Sequence, residues 1–224
     1  ELFDNDNKHM ADYQKTKINT VRRGSKKAKY NKDTVHSILD TVEICHIAFI
    51  VDGKPFVQPI NFGRKDGFLY LHGSPKNRMT NALIESGKAT LSVTIIDAMK
   101  LTKSAFNHSV NYRSAVVFGK VRELHADEEK LEGLKAIINH FVPERWEHCR
   151  RPDKDELLAT RVLEIEIETA SAKIADTPLE DKERDLELDY WSGIIPVETN
   201  YRDPISTKNS NSPPEHVLDF CKKN

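Results

Sequence analysis

LYLHGSPKNRMTNALIESG, residues 69–87, reads as strand, tight turn and helix, and the rest of the chain is arranged around it. Leu69, Tyr70 and Leu71 form an apolar strand end. Ser74 is a candidate helix cap, Pro75 suits the first helical position where a missing N–H is harmless, and Gly87 suits a left-handed stop. The spacing predicts a helix from about Pro75 to Ser86. Lys76, Asn77 and Arg78 then fall in its first turn, where cations oppose the positive end of the helix dipole. An anion resolves that conflict: free backbone N–H groups, a serine hydroxyl, a lysine and an arginine make a phosphate cradle. The alternative is an exposed basic turn.

Hairpins surround this stretch. ICHIAFIV (44–51) is apolar on both faces, Asp52-Gly53 is a type I′ turn signal, and PFVQPINF (55–62) returns. A second Asp-Gly, Asp66-Gly67, leads into FLYLHG, so three strands are expected to form an antiparallel meander. Upstream, Asp33 can cap a short helix with Val35, Ile38, Leu39 and Val42 on one face. Downstream, ATLSVTIID (89–97), a further extended piece from Lys100 to Lys103 and SAVVFGKVREL (114–124) read as strands. Asp127 is a candidate cap for a helix striped by Leu131, Leu134, Ile137, Ile138 and Phe141. In RVLEIEIET, Leu163, Ile165 and Ile167 alternate with Glu164, Glu166 and Glu168, the mark of a half-buried strand. Six or more antiparallel strands with few helices predict a mainly β fold, a closed or nearly closed barrel. Asp-Gly hairpins in place of helical crossovers disfavour a parallel doubly wound sheet.

The chain has 224 residues, 38% hydrophobic and 31% charged, with a formal net charge of -1. That balance gives no pull towards nucleic acid. Polar residues concentrate at the ends, which divides the chain into an N-terminal arm (1–32), a folded unit (33–197) and a C-terminal tail (198–224). Arg22, Arg23, Lys26, Lys27, Lys29 and Lys32 read as a solvated basic arm, with a polyanion grip or an address signal as the alternative. Cys45, Cys149 and Cys221 have no metal or disulfide spacing, and no run approaches the ~18 apolar residues of a membrane span. A soluble cytoplasmic protein without membrane association is expected. DTPLEDKERDLELD (176–189) reads as an exposed acidic loop, followed by an apolar island, YWSGIIPV (190–197), that should dock on its own barrel or on a neighbouring subunit.

SAFNHSVNYRS (104–114) packs three serines, two asparagines, a histidine, a tyrosine and an arginine between two apolar strands. Such polar density is costly unless a ligand, water or partner satisfies it. With Lys76 and Arg78 it is expected to converge on one cleft, against the alternative of a surface loop. His46, His72 and His108 lack metal-ligand spacing, so no metal site is expected. Nucleophile elbows, phosphate-binding glycine loops and paired catalytic carboxylates are absent, and no catalytic residue is identified.

Together with VHSILDTVEICHIAFIVDGKPFVQPINFG, the stretches LYLHGSPKNRM, SAFNHSVNYRSAVVFG and WSGIIPV resemble the pyridoxamine 5′-phosphate oxidase-like family of FMN-binding split barrels, within it the flavin-nucleotide-binding or nitroimidazole-resistance-like branch. The resemblance implies a homodimer with two FMN sites at the subunit interface. By position, Pro59, Ile60 and Asn61 fall on the strand whose backbone follows the flavin ring, and His72, Gly73 and Ser74 on the strand meeting ring and ribityl chain. Lys76, Asn77 and Arg78 replace the family's phosphate-binding triplet, with Asn77 where arginine is usual. Asn111 and Tyr112 precede Arg113 and Ser114, which match the pair reaching the flavin from the partner, and Trp191 resembles the late tryptophan that closes the site. No Arg-x-His, the motif that holds the vitamin substrate in the true oxidase, occurs in the chain. The expectation is an FMN-dependent oxidoreductase acting on another small molecule, or else a non-catalytic FMN- or haem-binding module.

Overall fold

The computed structural model describes residues 11–223. The strands are β1 (Ala28–Lys29), β2 (Ile44–Val51), β3 (Lys54–Asn61), β4 (Gly63–Lys65), β5 (Phe68–Gly73), β6 (Lys88–Leu101), β7 (Ser109–Leu124), β8 (Arg161–Ala175) and β9 (Gly193–Pro196). The α-helices are α1 (Lys32–Leu39), α2 (Arg78–Ser86), α3 (Asp127–Phe141), α4 (Lys154–Ala159) and α5 (Glu215–Lys223). All strand pairings are antiparallel, in the order β3-β2-β6-β7-β8-β5-β4, with β1 beside β8 and β9 beside β6.

The two ends of that order, β3 and β4, are separated in the chain by Phe62 alone. Two residues of chain span at most about 7 Å, so the sheet must curl until its edges meet at that corner. Phe62 fills the junction, fully buried. Gly63 permits the close pass, because a Cβ there would lie 2.4 Å from the backbone of Ala136 and Ile137 in α3. The result is the predicted barrel, and its interior holds Ile47, Leu71, Leu83, Leu91, Val117, Leu163 and Ile165. Helix α1 supplies Val35, Ile38 and Leu39 to that core from one end.

Several local expectations hold. Asp52 and Gly53 both have positive φ, 50° and 72°, as a type I′ turn requires. The β8 alternation buries Leu163, Ile165 and Ile167. Gly87 ends α2 at φ 64°.

Others are corrected. β5 does not continue a meander from β3 but pairs with β4 and β8, because the chain changes sheet edge at Phe62. Helix α2 starts at Arg78, capped by Asn77, whose Oδ1 accepts from Met79 N at 2.8 Å. Ser74 instead closes a turn, its Oγ accepting from Lys76 N at 3.2 Å. Asn31, not Asp33, caps α1, and Ala126 precedes α3 without a side-chain cap, leaving Asp127 inside the first turn. The two pieces expected at 89–97 and 100–103 are one strand, β6, interrupted by an irregularity between Ile96 and Ala98. Half of the polar stretch 104–114 is strand too, since β7 begins at Ser109.

Parts of the polar ends also fold back on the barrel, while Arg22, Arg23, Lys26 and Lys29 of the basic run are exposed. Tyr13 is buried in the core with its hydroxyl 2.9 Å from His36 Nε2, and burial pushes that phenol up to about 12. Asn19 Nδ2 donates to the Ala170 carbonyl at 3.1 Å. At the other end the Tyr201 hydroxyl donates to Glu43, Tyr201 packs on Phe220, and His216 stacks on His148 with centroids 4.1 Å apart. Residues 1–10 of the arm lie outside the described residues. Among those described, no helix is long and apolar enough to cross a membrane.

Candidate functional site

Strand alternation sorts the predicted residues between the two faces of the sheet. β2 reads exposed, buried, exposed along Ile44–Val51, so its apparent two-faced apolarity becomes an inner face in the core and an outer face in solvent. Cross-strand register carries the outer row from Asn61 to Ile44, and from Pro59 through His46 to Ser92. On β6 and β7 the same side holds Thr94 opposite Ser114 and Ile96 opposite Tyr112. Pro59, Asn61, Tyr112 and Ser114 therefore share one outward sheet face. That face is apolar where a monomer would be polar: Ile50 is 67% and Val57 68% exposed, with Ile44 and Ile96 about half exposed. Contiguous aliphatic exposure of this kind marks a surface that is covered by something else.

β3 is an edge strand, paired only with β2. One side of its backbone is thus free to hydrogen-bond a ligand, and Pro55 and Pro59 keep such an edge from recruiting another strand. Ile60 turns inward against the core.

Beside this face, the β2–β3 turn and α2 enclose a cleft of about 660 Å³ lined by Ile50, Asp52, Gly53, Lys76, Arg78 and Glu85. Lys76 and Arg78 are exposed, and the Arg78 guanidinium lies 4.2 Å from the Phe56 ring centroid, a cation–π contact that fixes its direction. Asn77 is committed to its cap, and a Cβ on Gly73 would meet its amide at 3.4 Å. His72, at the end of β5, has a buried Nδ1 without a partner, and burial holds its pKa below 6.5, hence neutral at pH 7.

Arg113 and Ser114, adjacent in sequence, point to opposite faces. Arg113 faces inward at the mouth of the barrel opposite Ile95, where Asp97 grips it with Nη2–Oδ1 at 2.7 Å and Nε–Oδ2 at 3.1 Å. The carboxylate raises the arginine's pKa further. Arg113 lines a separate cavity of about 440 Å³ with Glu43, Asp97 and Tyr201. The two basic clusters thus do not converge within one chain, because the sheet lies between them. Asn111 is buried and spends its amide on Thr177, donating to its carbonyl at 3.1 Å.

The loop 176–189 is anchored by residues that sequence reasoning passed over. Lys100 is buried and donates to Thr177 O, Thr177 Oγ1 and Pro178 O at 3.0, 2.9 and 2.8 Å. Lys103 donates to the carbonyls of Leu186 and Leu188. A lysine on the inward side of a strand was the available signal. Beyond that loop the apolar island docks on its own barrel through β9 and β6, while Trp191 stays 68% exposed with its ring over Gly193. Among the described residues no cluster of three metal-ligating side chains occurs.

Several solved structures are similar to this chain. The flavocytochrome Anf3 from Azotobacter vinelandii is 30% identical over 91% of this chain and 96% of its own, with a TM-score of 0.83. A FAD and haem binding protein from Mycobacterium smegmatis is 30% identical over 87% and 97%, TM-score 0.81. A candidate 5-nitroimidazole antibiotic resistance protein from Bacteroides thetaiotaomicron, 22% identical over 66% and 86% with TM-score 0.57, shares the fold. No curated protein matches. The family model described as pyridoxamine 5′-phosphate oxidase matches residues 31–174, from the cap of α1 through nearly all of β8. On that match and the barrel itself, the chain belongs to the pyridoxamine 5′-phosphate oxidase family of split barrels.

Proposed function

We propose that this protein is a flavin-nucleotide oxidoreductase that works as a homodimer, binding FMN across the outward sheet face and exchanging electrons with a small molecule in the interface cleft. The observation that carries the reading is the outward face itself: exposed aliphatics of β2, β3 and β6 lie next to the free edge of β3 and to the Lys76–Arg78 cations. A flavin needs those three surfaces together, an apolar plane for the ring, backbone groups for its polar rim and a cationic end for its phosphate. A second copy of the chain covers the remaining apolar area. The flavin supplies the redox chemistry when bound. The chain's own residues hold it: Lys76 and Arg78 neutralise the phosphate, and the β3 edge orients the ring.

The test is a combined one. Protein stripped of ligand and titrated with FMN should quench flavin fluorescence at one equivalent per chain, and its mass in solution should be that of a dimer. Val57→Glu with Ile50→Glu should abolish dimer and flavin binding together. A monomer that retains flavin refutes the reading. Flavin released by denaturation and separated by chromatography distinguishes FMN from FAD.

A second reading, a module that binds haem beside or in place of flavin, is supported by one observation. Two relatives that match the chain well beyond its barrel, at 91% and 87% coverage, are both named for haem or cytochrome as well as flavin.

A further inference from the structure

We infer that His108 is the axial ligand of a haem packed on the outward patch of Met99, Val110 and Ile195, an inference that rests on the haem reading above. His108 follows the short turn Ala105–Asn107 at the tip between β6 and β7. Its Nδ1 lies 3.1 Å from the Ser104 carbonyl oxygen. A carbonyl cannot donate, so Nδ1 carries the proton and Nε2 keeps its lone pair. This is the arrangement in which a histidine binds a metal: one ring nitrogen held by a backbone acceptor, the other free and oriented.

The other described histidines are less suited. His36 shares Nε2 with the Tyr13 hydroxyl, and His140 spends Nε2 on the Val42 carbonyl at 2.8 Å. His148 and His216 are stacked on each other, and the unpartnered nitrogen of His72 is buried. His46 lies on the sheet face assigned to the flavin, and neither it nor His125 has a partner that fixes its tautomer.

The surface beside His108 suits a large flat apolar ring. Met99 pairs across the sheet with both Val110 and Ile195, which places the three side chains on one side, each about two-fifths exposed. Val110 is the second residue of β7, and His108 immediately precedes that strand, which sets the exposed imidazole next to the patch in the chain. Phe106 is 86% exposed, an unusual state for a phenylalanine. The Lys182 ammonium, 5.7 Å from the Phe106 centroid, is the cation that haem carboxylates would meet. The patch continues the outward face from Ile96 and Tyr112, so haem and flavin would occupy neighbouring parts of one surface.

Haemin added to the stripped protein, followed by reduction, tests the assignment through the Soret band and the iron–imidazole stretching band in resonance Raman spectra. The expected result is one haem per chain with that band, its loss in His108→Ala, and its return on adding imidazole, while FMN uptake by the variant is unchanged. Persistence of the imidazole band in His108→Ala would leave the haem reading intact and overturn the assignment. Absence of haem uptake by the wild-type protein would overturn the haem reading and the assignment with it. Should His108→Ala lose FMN as well, His108→Tyr decides: a phenolate-to-iron charge-transfer band supports the assignment, and its absence overturns it. Loss of haem from His108→Ala that imidazole does not restore marks a structural role and also overturns it.

Discussion

Replacing Arg78 by alanine isolates the phosphate end of the proposed flavin site. Arg78 is exposed, opens α2, and its visible contact is the cation–π approach to Phe56 at 4.2 Å. Losing that contact costs about 0.5–1 kcal/mol at an exposed site, and alanine is at least as good a helix former as arginine. Fold stability should therefore fall by less than about 1 kcal/mol. A charge-assisted hydrogen bond to phosphate contributes about 1.5–3 kcal/mol, which at about 1.4 kcal/mol per decade is a 10- to 150-fold rise in the Kd for FMN. Riboflavin has no phosphate, so its affinity should change by less than about threefold, within the general variation of such surface substitutions. Arg78→Lys keeps the charge but loses the planar fork and should fall between. Fluorescence-quenching titrations of FMN and riboflavin, at low and high salt, measure all of this directly. Equal losses for the two ligands would refute the reasoning, because they would locate Arg78 away from the phosphate or reveal damage to the cleft as a whole.

Gly63→Ala should destabilise the fold by at least the 1–3 kcal/mol typical of overpacking, since the new Cβ meets the α3 backbone at 2.4 Å and not a movable side chain; a denaturation midpoint unchanged from wild type would contradict the barrel-corner geometry. Stability should also fall as pH drops below about 6.5, because burial, with the charge of Arg64 adding to it, lowers the pKa of His36 from 6.5. The folded state then binds that proton less readily than the unfolded chain, so the contribution is complete above 6.5 and is lost below it, by at most about 1.4 kcal/mol per pH unit. The difference in Tm between pH 7 and pH 5 should shrink in His36→Gln. Finally, flavin-saturated protein should form no aldehyde from pyridoxamine 5′-phosphate, because the stretch after Trp191 offers Arg202 as its cation and no Arg-x-His; turnover on the order of one per second would show that other residues replace the motif.

Local chemistry was legible wherever one residue type has one good solution. Asp52-Gly53 had to turn with positive φ at both positions, Gly87 had to end α2, and the strict alternation from Leu163 to Glu168 had to bury one side of β8. The quotable motifs around Leu69–Gly87 and Ser104–Gly119 were enough to indicate the family, and with it the flavin-binding expectation, before any contact was known.

What the sequence left open depended on competition between near neighbours or on distant partners. Asn31 and Asp33, or Ser74 and Asn77, are each competent caps a few residues apart, and the choice falls to whichever backbone geometry the packed helix imposes. Ser109–Ser114 reads as loop because it is polar, yet an outward strand face tolerates polar side chains. The closure of the barrel rests on β5 pairing with β8, some ninety residues away, and on a one-residue passage at Phe62 that no local pattern announces. Tertiary structure alone turned Arg113 inward to Asp97, docked Tyr13 and Tyr201 on the barrel, and gathered Ile50, Val57, Ile44 and Ile96 on one outward face. The physical reason is that a side chain's direction follows from strand register, and register is decided by pairing between segments far apart in the chain.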